Sequence, residues 1–141
     1  MNETYDLSRF ASAHRTDYDK ALREIRNGKK ESHWMWYIFP QLQGLGRSYQ
    51  ANYYGISGLG EAKAFLADPC LGAHLREISE ALLGLETGDP GRVFGYPDAL
   101  KLRSCMTLFS AASDGPSVFD KVLEKYYGGV RDHATDDRLG L

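Results

Sequence analysis

At 141 residues, with 17 basic and 19 acidic side chains and a net charge of −2, the chain has the length of one domain. It lacks the cationic excess of a protein that grips a nucleic-acid duplex through many phosphate contacts, which argues against nucleic acid as a partner. Its 43% hydrophobic and 26% charged content excludes a disordered chain, and at this length no disulfide or metal staple is needed to complete a core.

The first helix is predicted from Leu7, Phe10, His14, Tyr18, Ala21 and Ile25, which recur at steps of three and four and trace one face. Asp6 can cap its start and Asn27-Gly28 can stop it; Thr16 with Asp19 offers a second start, so a bend into two helices is the alternative. The segment Ser32-His33-Trp34-Met35-Trp36-Tyr37-Ile38-Phe39-Pro40-Gln41 follows. It reads as a short buried helix capped by Ser32 or as a strand, and Pro40 disfavours helix at Phe39. Residues 44–60 read as loop, anchored by Tyr49, Tyr53, Tyr54 and Ile56.

A short helix is expected from Leu59 to Asp68, ended by Pro69. Leu71, Leu75, Ile78, Leu82 and Leu85 mark the clearest amphipathic helix of the chain. Residues 87–95 read as turns. A helix over 97–112 turns Leu102, Cys105, Met106, Phe109 and Ala112 inward. The last helix, with Pro116 in its first turn and Asp114 as cap, buries Phe119, Val122, Leu123 and Tyr126 before Gly128-Gly129 stop it. The fold class is therefore mainly α: a compact single-domain bundle over 1–141 of about five to seven helices, with short strands near the middle as an open option. Residues 130–141 form a polar tail that is either less ordered or packed back.

The apolar run Trp34 to Pro40 is far shorter than the roughly 18 residues that span a bilayer, which excludes a membrane helix. Met1-Asn2-Glu3 begins no secretory leader, and Cys70 and Cys105 read as reduced core thiols, so the expected location is cytoplasmic. Oligomeric state is not encoded in any feature of the sequence.

Catalytic signatures are mostly missing. Gly55-Ile56-Ser57-Gly58-Leu59 has leucine where a nucleophile elbow needs glycine. Gly44-Leu45-Gly46 and Gly58-Leu59-Gly60 begin dinucleotide fingerprints without the third glycine, although the second opens a helix whose free N–H groups suit an anion. His14, His33, His74 and His133 show no metal-ligand spacing. Asp132, Asp136 and Asp137 read as solvated tail charges rather than ligands for a hard cation, so neither metal nor cofactor is predicted.

Two constellations carry chemistry. His33-Trp34-Met35-Trp36-Tyr37 holds both tryptophans and reads either as a stacking wall for a planar ligand or as central core. On the helix over 97–112, Asp98 and Lys101 lie three apart and share a face with Ser104 or Cys105, while Arg103 and Thr107 lie adjacent. That stripe reads either as a phosphate- or carboxylate-holding set or as a surface ion pair.

The stretch Lys30-Glu31-Ser32-His33-Trp34-Met35-Trp36-Tyr37-Ile38-Phe39-Pro40-Gln41, followed by Gly44-Leu45-Gly46-Arg47-Ser48, resembles the signature of the bacterial domain-of-unknown-function family 1810. Asp98-Ala99-Leu100-Lys101-Leu102-Arg103-Ser104-Cys105-Met106-Thr107-Leu108-Phe109 resembles its second block, and Glu61-Ala62 through Leu71-Gly72 fits between them. The resemblance covers nearly the whole chain and implies a helical single domain without an assigned activity. The calpastatin-like label sometimes attached to such sequences implies disordered inhibitor repeats, which this aromatic-rich chain does not contain. His14 stands where glutamine is usual, Asp68 where histidine is usual, and Asp136 where an apolar residue is usual; the first two departures speak against an essential role for those side chains.

The site expected from both blocks is a small-molecule cleft for a phosphorylated or nucleotide-like ligand between segment 32–41 and helix 97–112. Trp34 and Trp36 would stack, Lys101 and Arg103 hold the anion, Ser104 and Thr107 make polar contacts, and His33 is the candidate acid–base group. Whether it is an enzyme is left open, and no reaction type is assigned. The alternative is a non-catalytic protein-interaction module presenting Tyr126, Tyr127 and the Tyr53-Tyr54 pair. A weaker third reading places nucleic acid against Lys29, Lys30 and Arg47.

Overall fold

A computed structural model describes residues 5–141. These residues form nine helices: α1 (Ser8–Arg26), α2 (Met35–Ile38), α3 (Tyr49–Tyr53), α4 (Leu59–Ala67), α5 (Leu71–Leu83), α6 (Pro90–Phe94), α7 (Asp98–Ala111), α8 (Val118–Tyr127) and α9 (His133–Leu139). The six longest account for the expected number; α2, α3 and α6 are single turns of four or five residues. Among the described residues no strand forms, and the pairing in the middle of the chain is one parallel bridge between Leu42 and Ile56.

The periodic face of α1 is the buried face: Phe10, His14, Tyr18, Ala21 and Ile25 all lie inside, joined by Leu22 and Glu24. The helix runs unbroken through Thr16 and Asp19, because the apolar stripe continues across them and Tyr18 needs the same register as Phe10 to reach the core. Gly28 ends it with a left-handed φ of 83°, a conformation that costs a side-chain-bearing residue energy.

Helix α7 is the central element, and α4, α6, α8 and α9 pack on it while α5 bridges α1 to α8. Six consecutive α7 residues, Ser104 through Phe109, are buried. A helix enclosed on all sides must bury its polar side as well, and this is where Ser104 and Thr107 come to lie.

Three local expectations are corrected. Helix α8 starts one residue beyond Pro116–Ser117 and is capped by Ser117, whose N–H and hydroxyl both donate to Asp120 at 2.9 and 3.1 Å; Asp114 does not cap it. Residues 90–94 coil into α6 because Asp89 caps Gly91 and Pro90 fits a first-turn position. Cys105 is a buried thiol, whereas Cys70 is exposed at the start of α5, outside the apolar face of that helix.

The polar tail packs back. Arg131 forks onto Asp136 through Nε and Nη2, both 3.0 Å from a carboxylate oxygen, and its Nη2 also donates to the Thr107 carbonyl. The Asp132 N–H donates to the Thr107 hydroxyl at 2.8 Å, which seats α9 on α7. No helix among the described residues is long and apolar enough to cross a membrane.

Candidate functional site

The aromatic segment is organised by a carboxylate. Glu24, on the buried face of α1, accepts from the Glu31 N–H at 2.7 Å, the Ser32 N–H at 2.8 Å, the Ser32 hydroxyl at 2.6 Å and the Trp34 indole Nε1–H at 2.9 Å. Burial acts to raise its pKa, but the four hydrogen bonds outweigh that and hold the carboxyl down at about 2. Ser32 thus serves Glu24 rather than capping α2, whose N-cap residue Trp34 makes no side-chain cap bond. Trp34 is fully buried and tilted against Phe39, so it is core and cannot form a stacking wall.

The opposite side of the segment is open. Trp36 is half-buried, and the Lys101 ammonium stands 5.8 Å from its ring centre. Lys101 pairs with Asp98 at 3.3 Å, the one-turn contact expected from spacing, and Asp98 also takes Lys30 at 2.9 Å. Lys30 is therefore committed to Asp98, and the basic patch proposed for nucleic acid loses that member.

Beside this network lies a cleft of about 290 Å³, lined by Gln41, Leu45 and Gly46 on one side and Pro97, Leu100, Lys101, Arg103 and Ser104 on the other, with Asp132 and Ala134 closing one end. Gly46 packs tightly on α3: a Cβ there would stand 2.6 Å from the Ala51 Cβ and 3.2 Å from the Gln41 Nε2. Arg103 spans the far wall. Its guanidinium lies 5.8 Å from the Tyr127 ring centre and 3.9 Å from Asp132, while its Nε is buried without a hydrogen-bond partner among the described residues. An orphaned buried N–H of that kind costs about 1–3 kcal/mol unless something accepts from it. Asp132 is occupied by α9, accepting from the Thr135 N–H at 3.0 Å and its hydroxyl at 2.6 Å.

The structure thus brings Lys101, Arg103 and Ser104 to one cleft and leaves the other candidates outside it. Thr107 is fully buried, donating to the Arg103 carbonyl and accepting from Asp132 N–H, so its polar contacts belong to the docking of α9. His33 is exposed and is absent from the cleft wall. Gln41, Leu45, Leu100 and Asp132 were not foreseen in the site. Gln41 carried a signal, since it follows Pro40 at the end of the aromatic segment, but Asp132 reaches the cleft only through the tail's return.

Other readings are also resolved. The start of α4 at Gly58-Leu59-Gly60 is served by its own Glu61, which accepts from the Ser57 N–H at 2.8 Å and pairs with Arg9 at 3.2 Å. Tyr126 is buried with its hydroxyl on the Leu82 carbonyl and Tyr127 is partly buried, so neither forms an exposed patch. The exposed aromatic pair is Tyr49 with Tyr53, stacked at 5.8 Å.

The described residues define a mainly helical protein built around one enclosed helix, with a cleft at that helix's first turns. The chain belongs to the family described as "protein of unknown function (DUF1810)", which matches residues 4–139. It is similar to the conserved hypothetical protein Rv1873 from Mycobacterium tuberculosis, whose crystal structure shares 43% sequence identity over 99% of both chains with a TM-score of 0.95. No curated protein matches the chain.

Proposed function

We propose that the cleft beside the first half of α7 binds a small phosphorylated or nucleotide-like ligand. The observation that carries this reading is the pair of cations, Arg103 and Lys101, on the wall of a cleft that also holds Ser104 and Gln41. Two cations against one carboxylate line the cleft, and that carboxylate is already engaged by Thr135. Arg103 would supply a planar fork and Lys101 a point charge for an anion, while Leu45, Pro97 and Leu100 offer apolar walls to the rest of the ligand. No reaction is assigned, because the cleft wall holds no acid–base group of the histidine type.

The test is thermal unfolding in the presence of inorganic phosphate, sugar phosphates and nucleotides. A ligand at 100 times its dissociation constant stabilises by about 2.7 kcal/mol. The shift should vanish in Arg103→Ala and Lys101→Ala and survive in Tyr49→Ala. If no phosphorylated compound shifts the midpoint, the interaction-module reading replaces this one, with the stacked Tyr49 and Tyr53 as its surface.

A further inference from the structure

Cys70 occupies the N-cap position of α5, where its N–H donates to Asp68 Oδ1 at 2.9 Å, and its sulfur is exposed. One turn on, His74 brings Nε2 to 3.7 Å and Nδ1 to 3.9 Å from that sulfur. His74 is held from two further directions. Its ring stacks on Tyr18 at 3.6 Å, and its Nδ1 lies 3.0 Å from Nδ1 of His14 with the two imidazoles parallel. His14 is buried, and its Nε2 lies 2.8 Å from the Tyr37 carbonyl.

These contacts determine where the protons sit. A carbonyl only accepts, so His14 carries its proton on Nε2. Burial, aided by the neighbouring His74 and only partly opposed by the Tyr37 bond, pushes the His14 pKa down to about 4, so at neutral pH its Nδ1 is a bare lone pair. That lone pair must accept from Nδ1–H of His74. His74 is then left with an unprotonated Nε2, 3.7 Å from the Cys70 sulfur. Burial also lowers the His74 pKa, against the opposing charges of Glu77, Asp19 and Asp68. Of these, Glu77 is engaged by the Tyr18 hydroxyl at 2.6 Å.

We propose that Cys70 and His74 form a nucleophile–base pair, with His14 as the positioning residue, and that Cys70 is a site of reversible S-thiolation by low-molecular-weight disulfides. The arrangement is nucleophile, base and a third group that sets the base's tautomer. In the step, the Cys70 S–H passes its proton to His74 Nε2 and the thiolate attacks one sulfur of the disulfide. The S–S bond breaks, and the departing thiolate recovers the proton from His74, leaving one mixed disulfide and one free thiol. The cleft at α7 does not include Cys70, which suits a small freely diffusing reagent rather than a held substrate.

The probe is glutathione disulfide, with adduct formation followed by intact-mass spectrometry at neutral pH. Cys105 is fully buried, so the native protein reports on Cys70 alone. His74→Phe, which can keep the stack on Tyr18, should slow the reaction roughly 100-fold, the low end of what a positioned base contributes. His14→Leu should slow it as well. His14→Gln should restore it, because an amide can donate to the Tyr37 carbonyl and accept from His74 in the same order. Equal rates in His14→Leu and His14→Gln, or an unchanged rate in His74→Phe, overturn the proposal. If His74→Phe fails to fold, the wild type decides: native Cys70 must react faster than the same cysteine in urea, and an equal or slower rate overturns the pair.

Discussion

Glu24 and Arg103 are both charged side chains anchored in the core, yet they end differently. The Glu24 carboxylate meets four donors within its own chain, all of them from the Glu31–Trp34 stretch, and nothing remains for a ligand to satisfy. Arg103 has a buried Nε with no partner among the described residues, a distant carboxylate at 3.9 Å and an open cleft beside it. A fully paired buried charge holds structure together, whereas an incompletely paired one leaves a polar group whose desolvation is not offset. The contrast separates the two sequence blocks: the first is chiefly a structural hub, and the second supplies the cations of the candidate site.

The hardest test of this contrast is Glu24→Ala. It strands several buried donors at about 1–3 kcal/mol each, so a loss on the order of 4 kcal/mol is expected in urea denaturation. A loss below about 1 kcal/mol would mean that the hub is dispensable. Next in size is the response to acid. His14 titrates near 4 when folded against 6.5 when free, so between those values the unfolded chain binds more protons and stability falls as the pH drops. Glu24, near 2 when folded against 4.5 when free, adds a further fall in the same direction below pH 4.5. The His14 share amounts to at most about 3 kcal/mol, and His14→Gln should flatten the upper part of a stability-against-pH curve while leaving the lower part. A curve unaltered by His14→Gln would show that this imidazole is not buried in neutral form.

Smaller effects belong to the cleft. Arg103→Ala removes a long ion pair and a ring contact, so it should change stability by no more than about 1 kcal/mol while abolishing any phosphate-dependent shift in unfolding midpoint. A large stability loss without a change in binding would reverse the assignment of roles. Smallest of all, Cys70→Ser at an exposed position should alter stability by less than about 0.5 kcal/mol. A larger change measured by thermal unfolding would make Cys70 a packing residue.

Much of the helical frame was legible from the sequence. The buried face of α1, the long amphipathic α5 and the inward residues of α7 follow from apolar spacing, which is a local property of a helix. So does the Asp98–Lys101 contact, since three residues make most of a turn. The cleft was legible only in part. Lys101, Arg103 and Ser104 line it, but Trp34 and Trp36 are two residues apart and nothing local says that one is sealed while the other is half-open. The deciding partner, Glu24, sits ten residues before Trp34, across the turn at Gly28.

The sequence by itself determined where helices form and which faces they bury, because helix periodicity and capping act over a few residues. Only the tertiary structure decided what each polar group meets. Thr107 faces the returning tail, His74 meets His14 sixty positions away, and Arg103 is left with an unpaired Nε, since those outcomes depend on which distant elements arrive beside them. Pairing of buried polar groups is set by packing across the chain, which no local stretch of sequence records.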